Sequence, residues 1–241
     1  ATLDWIIGRN DVPNVINCHD HHTGLIPFMM LYCHKYEKLR NVPSMITIHN
    51  GLYQGQFGFD KLYYLPEFDL AHVKVLEWDN CINSLAVAIK CAWAVTTVSP
   101  NYLNEINYSA NGLESLFNLV RYKSKGILNG IDIEVWDPAT DVMLEKNYSI
   151  KNIEKGKQEN KEKLCNLFNL DPTKPLFSFI GKVLEEKGGD LLPHAAALAL
   201  SENYQQINIL ILGSGNTAIE NHLNSLLQNY KGNYNTFIGY N

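Results

Sequence analysis

No apolar run in the sequence is long enough to cross a bilayer: the longest, Leu25–Cys33 and Leu85–Ala94, fall well short of the roughly 20 residues a spanning helix needs. There is no basic excess either. A net charge of −5 cannot neutralise many phosphates, which argues against a general nucleic-acid or acidic-membrane binder and makes any phosphate site local. Cysteine is sparse, odd in number at five, and nowhere spaced Cys-x-x-Cys, so neither a disulfide framework nor a zinc knuckle is expected. The opening Ala1-Thr2-Leu3-Asp4-Trp5 has no basic region leading into an apolar one, and no secretory signal is expected there. Internal repeats and low-complexity tracts are also missing. The remaining expectation is a soluble, cytoplasmic protein with reduced thiols, and its 46% hydrophobic content over 241 residues suffices for a real core.

What is present is an alternation of short apolar runs and helical patterns. Val12–Cys18 reads as a strand ending in His-Asp-His-His-Thr-Gly, and Leu25–Tyr36 follows with helical spacing. Ser44–His49 is a second strand, and Gly51–Asp69 is a long Gly- and aromatic-rich excursion of the kind that tends to be functional. The pattern predicts a helix over Asp79–Trp93, a strand over Ala94–Val98, and an N-cap at Ser99 with Pro100 at the first helical position. Gly126–Leu128 reads as a further strand ending in Asn129-Gly130. From Glu145 to Lys163 the chain is dense in Lys and Glu and becomes helical at Asn160–Phe168. Beyond it, strands at Pro175–Gly181, Ile207–Gly213 and Asn235–Gly239 alternate with helices at Asp190–Ser201 and Ala218–Asn229. That order predicts a parallel sheet with helices on its faces. The expected division is 1–140 as one α/β piece, 141–160 as a charged linker, and 161–241 as a second piece that stops short of a full doubly wound sheet.

In parallel sheets ligands collect beyond the carboxyl ends of the strands, and each candidate site residue lies at such an end. His19-Asp20-His21-His22 offers three imidazoles and a carboxylate. Zinc ligation is one reading, although no second ligand cluster lies nearby in sequence. A neutral imidazole hydrogen-bonded to a sugar hydroxyl or carbonyl is another, with His19 and Asp20 fastening the loop and His22 meeting the ligand. Cys18 beside His19 raises a Cys/His nucleophile against a buried strand-end thiol. Lys182 and Lys187, five residues apart on a Gly-bounded loop, can converge on one diphosphate or simply be solvated. Gly213-Ser214-Gly215 either lets backbone approach a nucleotide or makes a tight strand-to-helix turn. Asn129, before Gly130, offers a donor and an acceptor, or only a turn.

Taken in order, these stretches resemble the glycogen and starch synthase family. His19-Asp20-His21-His22-Thr23-Gly24-Leu25 is similar to its His-Asp-Trp-His-Ala-Gly-Leu, and Thr47-Ile48-His49-Asn50 with Tyr53-Gln54-Gly55 to its Thr-Val-His-Asn and Tyr-Gln-Gly. Thr97-Val98-Ser99-Pro100-Asn101-Tyr102, Ile127-Leu128-Asn129-Gly130-Ile131-Asp132 through Trp136-Asp137-Pro138, Lys187-Gly188, Leu212-Gly213-Ser214-Gly215 and Ile238-Gly239-Tyr240 continue the match. The resemblance implies two facing Rossmann-like domains of the GT-B type, both incomplete in this chain. It also implies retaining transfer of glucose from a nucleotide diphosphate-glucose, ADP-glucose in bacterial and plant members, to the non-reducing end of an α-1,4-glucan, without metal or other cofactor. By position it makes His22 the histidine near the donor glucose and Asn129 a cleft residue. Lys182 and Lys187 become the diphosphate clamp across that cleft, Gly213, Ser214 and Gly215 donor contacts, and Tyr240 the tyrosine against the adenine. A hinge near Asp137–Glu154 would serve closure.

The departures are specific. Lys182 stands where the family has Arg, which keeps charge and loses the planar fork; His21 replaces Trp, and Ala86 stands where Lys is common. The family's Lys-x-Gly-Gly loop and Glu-Pro-Cys-Gly-Leu segment do not occur in the 241 residues. The expectation is an internal fragment with little or no activity by itself. Another retaining transferase of sucrose or mannosyl type, or a metal-binding protein using His19–His22, are the alternatives.

Overall fold

The computed structural model describes residues 1–9, 11–203 and 206–239. The chain divides into two compact units, Ala1–Gly130 and Ile131–Asn241. The first begins with helix α1 (Thr2–Arg9), strand β1 (Ile16–His19), helix α2 (Ile26–Tyr32) and strand β2 (Ser44–Ile48). A small antiparallel sheet follows, from β3 (Gln56–Phe57), β4 (Glu77–Trp78) and β5 (Cys81–Asn83), with the short helix α3 (Val73–Leu76) between the first two. Then come α4 (Ser84–Cys91), β6 (Ala94–Thr97), α5 (Pro100–Glu105), α6 (Glu114–Leu119) and β7 (Ser124–Gly126). Strands β1, β2, β6 and β7 pair in that order, all parallel. Their carboxyl ends therefore share one edge.

Burial explains the layering. In β2, Ser44, Ile46 and Ile48 are buried on alternate positions, as the two-residue strand period requires. Helix α4 has every residue buried except Lys90. Leu85, Ala86, Ala88 and Ile89 join the cluster on the sheet, while Val87 and Cys91 join Leu3, Phe28, Met30 and Leu39 on the other side. A helix apolar all round is an interior helix, and each fully buried Leu or Ile there is worth about 1.5–3 kcal/mol. Lys123 reaches the far end of α4 and donates to the carbonyls of Lys90 and Ala92 at 3.1 and 2.6 Å. Ala86 is fully buried.

Several expected boundaries move. The helix expected over Asp79–Trp93 begins only at Ser84, because Asp79 and Asn80 take positive φ (50° and 59°) and turn β4 into β5. The strand expected at Gly126–Leu128 is instead Ser124–Gly126, and only the Ile127 amide still reaches the Thr97 carbonyl, at 2.8 Å.

In the second unit, α7 (Ile153–Leu167) starts seven residues before the expected Asn160, led in by a capping box between Ser149 and Asn152. The expected β-α-β-α-β order is present as β8 (Leu176–Ile180), α8 (Leu192–Glu202), β9 (Asn208–Gly213), α9 (Thr217–Asn229) and β10 (Tyr234–Ile238). The strands form a parallel sheet with β9 in the centre. Val183, Ala196, Leu200, Ile211, Leu223, Leu226 and Tyr234 make its main core. Among the described residues no helix is long and apolar enough to cross a membrane.

Candidate functional site

At the carboxyl edge of the first sheet, the histidine loop is fastened by its own polar groups. Asp20 takes positive φ (52°), and its carboxylate accepts the His49 amide at 2.8 Å and the Asn50 amide at 3.5 Å. One side chain thus ties the loop after β1 to the loop after β2. His19 Nδ1 lies 2.9 Å from His49 Nε2, and the His19 amide meets Thr23 Oγ1 at 2.7 Å. Fastening by His19 and Asp20 is what their position in the sequence suggested. Gly24 is required by space, since a Cβ there would collide with the Ser84 backbone. That contact lets the Ser84 hydroxyl donate to the His21 carbonyl at 2.7 Å.

His22 is left exposed, its ring 3.8 Å from that of His21 between centroids. His21 is half-buried with Nδ1 unpartnered. Cys18 is buried, and burial pushes its thiol up to about 11. At neutral pH it is a protonated core thiol and not a nucleophile. Among the described residues no three His, Cys, Asp or Glu side chains are grouped to hold a metal ion. Asn129 is exposed, three residues past β7.

Two residues to which the sequence reading gave no role, Gln54 of the Tyr-Gln-Gly stretch and Asn83, hold the loop after β2. Gln54 is buried, its Nε2 donating to the Ala110 and Asn111 carbonyls at 3.1 and 3.0 Å. Its Oε1 accepts from Asn83 Nδ2 at 2.7 Å, while Asn83 Oδ1 caps α4 by accepting the Ala86 amide at 3.0 Å. Asn83→Ala removes the cap and strands a buried acceptor, so a loss of about 2–3 kcal/mol is expected in urea unfolding. Asn83→Asp keeps the cap but sets a buried carboxylate against Gln54 Oε1, so it should destabilise at least as much.

In the second unit the loops after β8 and β9 are spliced together. The Val183 amide donates to the Ser214 carbonyl at 3.0 Å, and the Asn216 amide to the Val183 carbonyl at 2.9 Å. Gly213 and Gly215 permit this, since a Cβ on either would strike the backbone of Gly181 or Val183. The Gly215 amide is taken by Glu220 Oε1 at 2.6 Å, and Asn216 caps α9. Ser214 stays half-buried above the strand end. Lys182 and Lys187 are both exposed on the loop after β8, Lys187 in a 3-10 turn closed by left-handed Gly188 (φ 70°). Tyr240 lies outside the described residues.

Residues 1–119 match the starch synthase catalytic domain family. The chain is 73% identical over 241 residues to the glycogen synthase of Flavobacterium johnsoniae, covering all of this chain and 51% of that protein. With the glycogen synthase of Streptococcus agalactiae serotype III it shares 35% identity over 223 residues, 89% of this chain and 46% of the relative. Its fold superposes on the catalytic domain of starch synthase IV from Arabidopsis thaliana, solved with ADP and acarbose. There the TM-score is 0.86 and the identity 27%, over all of this chain and 50% of that one. The chain belongs to the glycogen and starch synthase family.

The family is one of glycosyltransferases, and the mixed α/β, parallel-sheet architecture is that of its GT-B catalytic domain. The chain spans about half the length of the curated relatives it matches.

Proposed function

We propose that this chain contributes to a glycogen synthase that transfers glucose from ADP-glucose to the non-reducing end of an α-1,4-glucan, with retention of configuration. Residues 1–140 are read as the acceptor-side piece and 161–241 as the nucleotide-sugar piece, with the charged 141–160 between. The observation that carries the reading is the 73% identity to a glycogen synthase across the full 241 residues, in a chain whose exposed His22, Lys182 and Lys187 all lie beyond carboxyl strand ends. The starch synthase of the same fold was solved with ADP, which favours an adenine nucleotide.

The chemistry follows from charge. As the bond from the glucose anomeric carbon to the diphosphate breaks, negative charge gathers on the leaving group and the sugar becomes oxocarbenium-like. Ammonium groups of Lys182 and Lys187, carried on hydrogen-bonded backbone, stabilise that state more than the ground state. His22 offers an imidazole to a glucose hydroxyl, Asn129 and Ser214 offer neutral donors and acceptors, and Tyr240 is assigned the adenine face. Gly213 and Gly215 shape the donor loop.

The test is incorporation of labelled glucose into glycogen by the complete gene product, with ADP-glucose, UDP-glucose and GDP-mannose, with and without a chelator. Transfer from ADP-glucose unaffected by chelation is expected, with little or none from the 241-residue chain alone, which lacks the Lys-x-Gly-Gly and Glu-Pro-Cys-Gly-Leu segments. Preference for GDP-mannose, or chelator-sensitive transfer, would overturn the reading.

A further inference from the structure

Helices α8 and α9 pack together on one face of the second sheet, with Ala196, Leu200, Leu223 and Leu226 buried in a common core. Across their seam the exposed His194 of α8 meets the exposed His222 of α9, ring centroids 5.2 Å apart and planes at 88°. We propose that this pair is a binding site for a borderline-soft divalent transition-metal ion of the Zn²⁺ or Cu²⁺ kind. The site is separate from the residues assigned to the donor and supplies no step of glucose transfer.

The spacing of the rings suits an ion. Two imidazoles bound to one tetrahedral Zn²⁺, at Zn–N distances of about 2.0–2.1 Å, have ring centres about 5 Å apart, which is the separation already present. Binding therefore asks for rotation of the two rings about their side-chain torsions and little movement of the helices. Among the described residues neither imidazole is engaged in a hydrogen bond to protein, so each has a nitrogen lone pair to offer. Water fills the remaining coordination positions.

The surroundings admit a cation and select its class. Neither helix carries a lysine or arginine, so no fixed positive charge on them repels the ion. Imidazole nitrogens favour Zn²⁺, Cu²⁺ and Ni²⁺, whereas Mg²⁺ and Ca²⁺ require oxygen ligands.

The mounts are firm. His194 follows the buried Pro193 in the first turn of α8, and His222 precedes the buried Leu223 in α9. The Tyr230 hydroxyl, just past α9, donates to the Ala197 carbonyl of α8 at 3.2 Å. Helix α8 follows the loop of Lys187, and α9 follows Gly213-Ser214-Gly215. An ion bridging the two histidines therefore braces the helices that carry those loops.

Isothermal titration of the complete, tag-free gene product with ZnCl₂ tests this, comparing the parent with His194→Gln, His222→Ala and the double variant. Each single variant should bind one of the parent's Zn²⁺ equivalents at least about tenfold more weakly. The double variant should lose that same equivalent and no other, because both rings hold one ion. Both positions are exposed, so the fold is kept. His222→Cys, which exchanges one zinc ligand for another, should retain the equivalent. Saturating Zn²⁺ should raise the urea midpoint of the second unit in the parent and leave that of the double variant unmoved, and Mg²⁺ should move neither. If every variant binds Zn²⁺ as the parent does, if the two single variants lose different equivalents, or if Zn²⁺ leaves the parent's midpoint unchanged, the histidines only pack against each other and the site is wrong.

Discussion

In the complete enzyme, Lys187→Ala is expected to lower kcat for glucose transfer by about 10²- to 10³-fold, the usual cost of deleting one preorganised group facing developing charge. The KM for glycogen should change little, because the lysine is assigned to the leaving diphosphate and not to the acceptor. The geometry supports a placed cation. Its amide donates to the Leu184 carbonyl at 3.0 Å, Gly188 turns the chain in the left-handed region, and Gly189 packs so tightly on Leu184 that a Cβ there would come within 2.7 Å of its amide nitrogen. The backbone under Lys187 is therefore specified, while the ammonium is exposed to meet an anion. Steady-state kinetics with ADP-glucose varied and glycogen saturating would read the effect. An unchanged kcat would remove Lys187 from the mechanism.

The second large effect is structural. Gly213→Ala should destabilise the second unit by about 3 kcal/mol, at the upper end of overpacking costs, because the new methyl would be driven into the Gly181 carbonyl. Relief requires β8 and β9 to part at their carboxyl ends. That would break the hydrogen bonds from the Val183 amide to the Ser214 carbonyl and from the Asn216 amide to the Val183 carbonyl. The urea midpoint of the second unit measures this; a midpoint within a few tenths of a kcal/mol of the parent would mean that the splice yields freely. Gly213 thus has a packing role whether or not a nucleotide also lies against it.

Much of this was legible in sequence where one residue type has one good reason to be present. The β-branched runs at Ser44–Ile48 and Ala94–Thr97 announced strands, and Ser99-Pro100 announced a helix start, with the Ser99 hydroxyl accepting the Tyr102 amide at 2.9 Å. Positions whose partners are distant in sequence were hidden. Asn83 looked like part of a helical pattern, but its amide spans 29 residues to Gln54. The Asp79-Asn80 turn was masked by the apolar residues on either side. Ser149 and Asn152 carried a capping box that the Lys/Glu-rich composition around them obscured. Glu220 gave no sign that it would occupy the Gly215 amide, since only folding brings the carboxylate back along the first turn of α9.

The splice between the loops after β8 and β9 has a consequence for Lys182. Its neighbours on both sides are hydrogen-bonded across to the β9 strand end, Gly181 to the Leu212 carbonyl and Val183 to the Ser214 carbonyl. The residue therefore rides on backbone that still belongs to the sheet, and its ammonium searches by side-chain torsion alone. Fastening it to an anion forfeits the rotational freedom of one flexible stem, up to about 2 kcal/mol, with no disordered loop to be frozen in addition.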